Sequence, residues 1–160
     1  MKRIFILPII ILFVGCASVT PKGELFKIHE DPGASESVVY FYVPEKEFGS
    51  TACIIVTVNE EERGCIGNPG YVKVVLSPGE HSFSFRPDAM IDLGVEMRKF
   101  TSSFNGGSVY YLESRKVETQ EDKYNALQMS YVNVFGGYTV GWVLVPEEEA
   151  LKKLSILRDW

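Results

Sequence analysis

Between residues 38 and 145 the chain repeats one compositional theme: a short run rich in Val, Ile, Tyr and Phe, then a cluster of Gly, Pro, Asn or acidic residues that stops it. β-Branched and aromatic side chains suit a pleated, half-buried surface, and the punctuating residues turn the chain between runs. No helical pattern separates one run from the next, so the βαβ alternation of a parallel sheet is missing. The expected fold is mostly β, an antiparallel β-sandwich or open barrel of about eight strands with one C-terminal helix.

The runs can be taken in order. Residues 38–43 form a first strand closed by Pro44, and residues 51–58 a second. In the second, Ala52, Ile54, Val56 and Val58 share one face and Cys53, Ile55 and Thr57 the other, so both faces are apolar and the strand should be central. Asn59-Glu60-Glu61-Glu62 turns the chain into a return strand at 63–66, and consecutive carboxylates there read as a solvated turn. After Gly67-Asn68-Pro69-Gly70 comes a strand at 71–76. Ser77-Pro78-Gly79-Glu80 then supplies a turn with proline and glycine at its two central positions, and the alternation of residues 81–85 puts Phe83 and Phe85 inward. These features predict a hairpin. Residues 91–104 alternate less well, with 88–90 as a loop or bulge; Asn105-Gly106-Gly107 signals a further hairpin into a strand over 108–117, buried at Tyr110-Tyr111-Leu112 and wet at Glu113-Ser114-Arg115-Lys116. A polar loop at 118–125 precedes a strand at 126–135, and Gly136-Gly137 leads to the last strand, which ends at Trp142-Val143-Leu144-Val145.

One helix is expected after Pro146. Glu147, Glu148 and Glu149 oppose the positive end of its dipole, Lys152, Lys153 and Arg158 sit towards the negative end, and Leu151, Leu154 and Leu157 form an apolar stripe for the sheet. Trp160 either seals that contact or frays.

The N-terminus has a different character. Lys2 and Arg3 precede an apolar run that is broken by Pro8 and ends in small residues, the layout of a secretory signal peptide and too short for a membrane-spanning helix. Its end, Phe13-Val14-Gly15-Cys16, resembles the lipobox of bacterial lipoproteins, with Phe13 where leucine is usual. The resemblance implies a diacylglyceryl thioether on Cys16, cleavage before it, and acylation of the new amine by a palmitate-type chain. Several acyl chains, at about 0.8 kcal/mol per buried CH₂, exceed what stable anchoring requires. Ala17 rather than aspartate follows Cys16, which by resemblance to bacterial lipoprotein sorting favours the periplasmic face of the outer membrane. The expected organisation is a signal peptide at 1–15, a lipidated cysteine and tether at 16–37, and one β-sandwich domain at 38–160. Stretched out, the tether would reach about 70 Å; Leu25-Phe26-Lys27-Ile28 interrupts its polarity and should dock on the domain, with His29 a lone surface residue beside it.

Of 160 residues, cleavage before Cys16 leaves 145, enough for one domain with a real core. Losing Lys2 and Arg3 leaves fourteen cations against twenty-one carboxylates, a formal charge of −7. An acidic exterior argues against nucleic acid or anionic lipid headgroups as partners. A content of 46% hydrophobic and 12% aromatic residues fits a compact, strand-rich domain rather than a disordered one. Cys53 and Cys65 flank the first hairpin in a compartment that permits disulfides, and both a cross-strand bridge and two free buried thiols fit the sequence.

The elements Val39-Tyr40-Phe41-Tyr42, Val56-Thr57-Val58-Asn59, Gly64-Cys65-Ile66-Gly67, Gly70-Tyr71 and Leu76-Ser77-Pro78-Gly79-Glu80-His81 together resemble an uncharacterised family of small bacterial lipoprotein domains. More distantly they are similar to the PEGA and carboxypeptidase-regulatory-like sandwiches, in which a Pro-Gly-x-His turn joins two core strands. The resemblance implies a fold and a location and brings no catalytic residues with it.

A nucleophilic site needs Cys or Ser beside a histidine and an orienting acid; His81 with Cys53 or Cys65 is the set to consider, and turn-local hydrogen bonding is the simpler role for His81. Zinc-ligand spacing and a phosphate-binding glycine loop are both missing, so no metal and no cofactor is expected. Tyr40, Tyr42, Tyr71, Tyr110, Tyr131, Tyr138 and Trp142 raise the question of an exposed aromatic platform for sugar rings. The leading expectation is a membrane-anchored, non-enzymatic interaction or accessory module with an envelope protein partner. A glycan- or peptidoglycan-binding lipoprotein is the alternative, and a Cys/His hydrolase the third reading.

Overall fold

The computed structural model describes residues 23–28, 31–44, 53–88, 98–132 and 137–159. Cys16 with its signal, His29, Ala52, Met90 and the stretch up to residue 97, Phe135, Gly136 and Trp160 lie outside the described residues. Among the described residues there are nine strands and two helices: β1 (Ser37–Val43), β2 (Ile54–Val58), β3 (Glu61–Ile66), β4 (Gly70–Leu76), β5 (Gly79–Pro87), β6 (Arg98–Phe104), β7 (Ser108–Lys116), α1 (Gln120–Asn125), β8 (Ala126–Val132), β9 (Tyr138–Leu144) and α2 (Glu147–Leu154).

The mostly-β, sandwich-like class expected from sequence is what forms, with the sheets not closed into a barrel. One sheet has the order β4-β1-β7-β9-β8 and the other β3-β2-β5-β6. β2 lies between β3 and β5, the central position that its two apolar faces require. The hairpin joining β2 to β3 turns on Asn59 and Glu60, both at positive φ (49° and 70°), as a two-residue primed turn demands. Glu61 and Glu62 belong to β3, where they pair with Arg63 at 2.7 Å and Arg86 at 3.5 Å.

Two expected hairpins are corrected. Ser77-Pro78 and Asn105-Gly106-Gly107 reverse the chain, yet β4 pairs with β1 while β5 pairs with β2 and β6, and β7 pairs with β1 and β9. Each turn therefore carries the chain from one sheet to the other. Both turns meet at one corner, where a Cβ on Gly106 would collide with the Ala34 carbonyl and lie 2.9 Å from Pro78 Cγ. At the same corner the Gly107 amide donates to Glu36 O (2.8 Å) and Ser37 Oγ donates to Asn105 O (2.9 Å). These bonds start β1 and β7 side by side and in the same direction, so the sandwich contains one parallel pair where an antiparallel arrangement was expected.

Between the sheets lies the main core: Val39, Phe41 and Val43 of β1, Val56 and Val58 of β2, Phe83 and Phe85 of β5, Phe104, Leu112 and Trp142. Phe41 meets Trp142 edge-on at 5.5 Å, and Phe85 lies 4.6 Å from the same ring. A second apolar cluster covers the other face of the five-stranded sheet, where Tyr40, Tyr42, Tyr71 and Tyr111 pack beneath Ala150, Leu154 and Leu157. The molecule is thus layered sheet, sheet, then α2 with the N-terminal segment 23–28, whose Phe26 packs on this cluster. Pro146 serves as the cap residue before α2, and Leu154 is the buried part of the expected stripe, with Leu151 half-buried; the helix ends at Leu154, so Leu157, although buried, and Arg158 lie beyond it in the C-terminal segment.

The polar loop expected at 118–125 contains a further helix. α1 is only six residues long, so it has no apolar periodicity to read, and its start is fixed by a capping box: the Asp122 amide donates to Thr119 Oγ1 (3.0 Å) while the Thr119 amide donates to Asp122 Oδ2 (3.1 Å).

Candidate functional site

The most concentrated chemistry in the described residues lies where α2 crosses β7. Glu113 projects from β7 to the α2 side of the sheet and is only 2% exposed, which overturns the expectation that Glu113 and Ser114 are wet. An unpaired carboxylate there would lose several kcal/mol of hydration, so its partners decide whether the fold is tolerable. Lys153 of α2 donates to both oxygens, at 2.9 and 2.8 Å, and the Tyr42 hydroxyl donates to Oε2 at 2.8 Å. Arg115, two residues along β7 on the same face, lies 3.9 Å from Glu113, 2.9 Å from Glu149 and 2.6 Å from Asp122. Lys153 also reaches Glu149 at 3.1 Å. Two cations and three carboxylates therefore tie β7, α1 and α2 together, and the Asp122 that caps α1 is the one that holds Arg115.

The electrostatics follow from that geometry. Burial works against the charged forms, yet hydrogen bonds from Thr119 and the Arg115 charge leave Asp122 below its ordinary value, and Lys153 and Arg115 leave Glu149 below its own. Lys153 is held above the usual lysine range by Glu113 and Glu149 in spite of its partial burial. The Tyr42 hydroxyl is raised far out of its range by burial and by the neighbouring Glu113, and stays protonated as a donor. Beside this network a cleft of about 490 Å³ opens between Pro44, Arg115, Lys116, Lys152 and Ile156. Its cations are spoken for: Lys152 pairs with Glu148 at 2.8 Å and Lys116 lies over the Tyr138 ring at 5.3 Å. The arrangement is a compensated electrostatic clasp holding the helix on the sheet.

The residues singled out from sequence are dispersed. Cys53 and Cys65 form a disulfide across the start of the β2–β3 hairpin, with Cα atoms 5.6 Å apart. Asp88 lies near it, with a carboxylate oxygen 3.9 Å from Cys53 Sγ, but sulfurs joined to each other are not thiolate ligands. His81 is buried with both ring nitrogens engaged, one at its own turn and one across to the β2–β3 turn: Nε2 donates to Ser77 O (2.8 Å) and Asn59 Nδ2 donates to Nδ1 (2.8 Å). Of the aromatic set, Tyr40, Tyr42, Tyr71 and Trp142 are buried and Tyr110 and Tyr138 half-buried. Tyr131, on the edge strand β8, is 69% exposed, and Tyr124 of α1, absent from that set, is 90% exposed.

Sequence reasoning missed the clasp. Its local signals are the Thr119-to-Asp122 spacing and the i,i+4 pair Glu149–Lys153; the rest joins residues up to 71 positions apart. Neither a scan against protein-family models nor a search of curated proteins found a match to this chain.

Proposed function

We propose that this protein is a lipid-anchored bacterial envelope lipoprotein, one of the small lipoprotein domains it resembles, and that it acts as a non-enzymatic interaction or accessory module. The observation that carries the reading is the cationic, apolar, small-residue order that ends at Phe13-Val14-Gly15-Cys16. Cys16 attaches the chain to a membrane, with the periplasmic face of the outer membrane favoured by Ala17. The Cys53–Cys65 disulfide fits an oxidising compartment such as the periplasm. The hydrolase reading loses its candidate groups, because His81 is committed to Asn59 and Ser77 and both cysteines to each other. Crosslinking in intact cells followed by identification of partners tests the interaction role; the expected result is one specific envelope protein, and recovery of none contradicts it.

Glycan binding is the second reading, favoured by Tyr124 and Tyr131, which stand exposed on the consecutive elements α1 and β8. Cosedimentation with purified peptidoglycan that is lost in a Tyr124→Ala, Tyr131→Ala double variant would favour it over a protein partner.

A further inference from the structure

The segment before β1 does not hang free of the domain. Phe26 N donates to Leu157 O (3.1 Å), Asp159 N donates to Glu24 O (2.9 Å), Arg158 donates to Gly23 O (3.3 Å), and Leu25 bridges Arg158 as a short antiparallel contact. The Phe26 ring sits edge-on to Tyr40 at 5.1 Å and to Tyr71 at 5.5 Å. A strap from Gly23 to Ile28 is thereby sewn to the C-terminal segment, and it shares with α2 the work of covering the outer face of the five-stranded sheet.

This relocates the point where the tether leaves the domain. With the strap docked, that point is Gly23 rather than Ser37, seven peptide steps beyond Cys16. At about 3.6 Å per residue seven steps span at most about 25 Å, whatever path residues 17–22 take. Three apolar side chains stand exposed on the strap and its partner segment: Leu25 at 49% and Ile156 at 75%, on either side of the bond between Phe26 and Leu157, and Ile28 at 59% at the far end of the strap. The charges at the corner of Leu25 and Ile156 cancel. Glu24 pairs with Lys27 at 2.8 Å, and Arg158 is followed by Asp159, so the formal −7 of the mature chain resides elsewhere. An anionic bilayer repels the net −7 of the mature chain, to which this formally neutral corner does not contribute.

We infer that the corner carrying Leu25 and Ile156 rests on the surface of the membrane that holds Cys16, with the four-stranded sheet and the Asn59-Glu60 hairpin tip turned away from it. The inference rests on the lipid-anchor reading. Sheets pack about 10 Å apart, so the hairpin tip stands roughly two layers further from the lipid than the strap.

The test uses the full lipidated protein in vesicles of phosphatidylethanolamine and phosphatidylglycerol at 3:1. Cys16 is acylated and Cys53 and Cys65 are bridged, so a single surface cysteine at Leu25→Cys, Ile156→Cys or Glu60→Cys accepts an environment-sensitive fluorophore alone. Vesicle flotation is read first; failure of the protein to float overturns both the anchor and this inference. For floating protein, headgroup spin-labelled lipid should quench the probes at 25 and 156 at least about twofold more than the probe at 60, as expected for groups at the headgroup boundary. Equal quenching at all three sites overturns the membrane-facing corner and leaves the anchor standing. Shielding at 25 and 156 that follows protein density and ignores the lipid quencher assigns the corner to a second copy of the chain, and overturns the inference as well.

Discussion

Replacing Lys153 with methionine keeps the length of the side chain and the helix propensity of α2 and removes the charge nearest to Glu113. Cutting one partner from a fully buried pair costs about 3–5 kcal/mol. Two features of the network reduce that figure. Arg115 remains 3.9 Å from Glu113 and Tyr42 still donates to it, so the carboxylate is not orphaned, and the Lys153 side chain is 34% exposed, which admits water. The expected loss is about 2–3 kcal/mol, a fall in Tm of about 6–12 °C for a domain of this size. Glu113→Gln should cost a similar amount, and the double variant much less than the sum, because each single change already breaks the same contact. Urea unfolding of the four proteins, followed by circular dichroism, measures the cycle. A Lys153→Met protein within 0.5 kcal/mol of wild type, or strictly additive single changes, would refute the claim that this network holds α2 to β7.

Other consequences are as direct. Changing Cys53 and Cys65 together to alanine opens a loop of sequence separation 12 and should cost about 2–3 kcal/mol, readable in the same urea titration. Glu60→Gly relieves a non-glycine residue at φ 70° in a turn that prefers glycine and should raise stability by about 0.5–1 kcal/mol, visible as a higher Tm. Asp122 and Glu149 both have folded pKa values below their unfolded ones, so each releases its proton more readily when folded. Their contribution is complete above the ordinary carboxylate range and is lost as pH falls through the folded values, so Tm should drop on acidification and drop less in Asp122→Asn.

How much of this was legible in the sequence depends on how local the deciding interaction is. The inward placement of Phe83 and Phe85 follows from alternation within five residues, and the central position of β2 from its two apolar faces. The role of the two sharpest turns did not follow. Pro78 and Gly107 specify that the chain reverses, but which sheet receives the next strand is settled by packing at the corner shared by Ala34, Pro78 and Gly106, which no local signal reports. Glu113 looked wet because its neighbours are polar, and it is buried because a lysine forty residues later compensates it. The disulfide was open between two readings, since spacing sets only which residues flank a hairpin and not how far apart their Cα atoms lie.

The central claim concerns where the protein works, and it rests on Cys16. Membrane fractionation and intact mass of the protein from cells expressing wild type or Cys16→Ser measure it directly. Wild type should be found in the membrane fraction, shortened before residue 16 and heavier by its acyl groups, while Cys16→Ser should be unprocessed or released from membranes. Unchanged processing and unchanged membrane retention in Cys16→Ser would contradict the account.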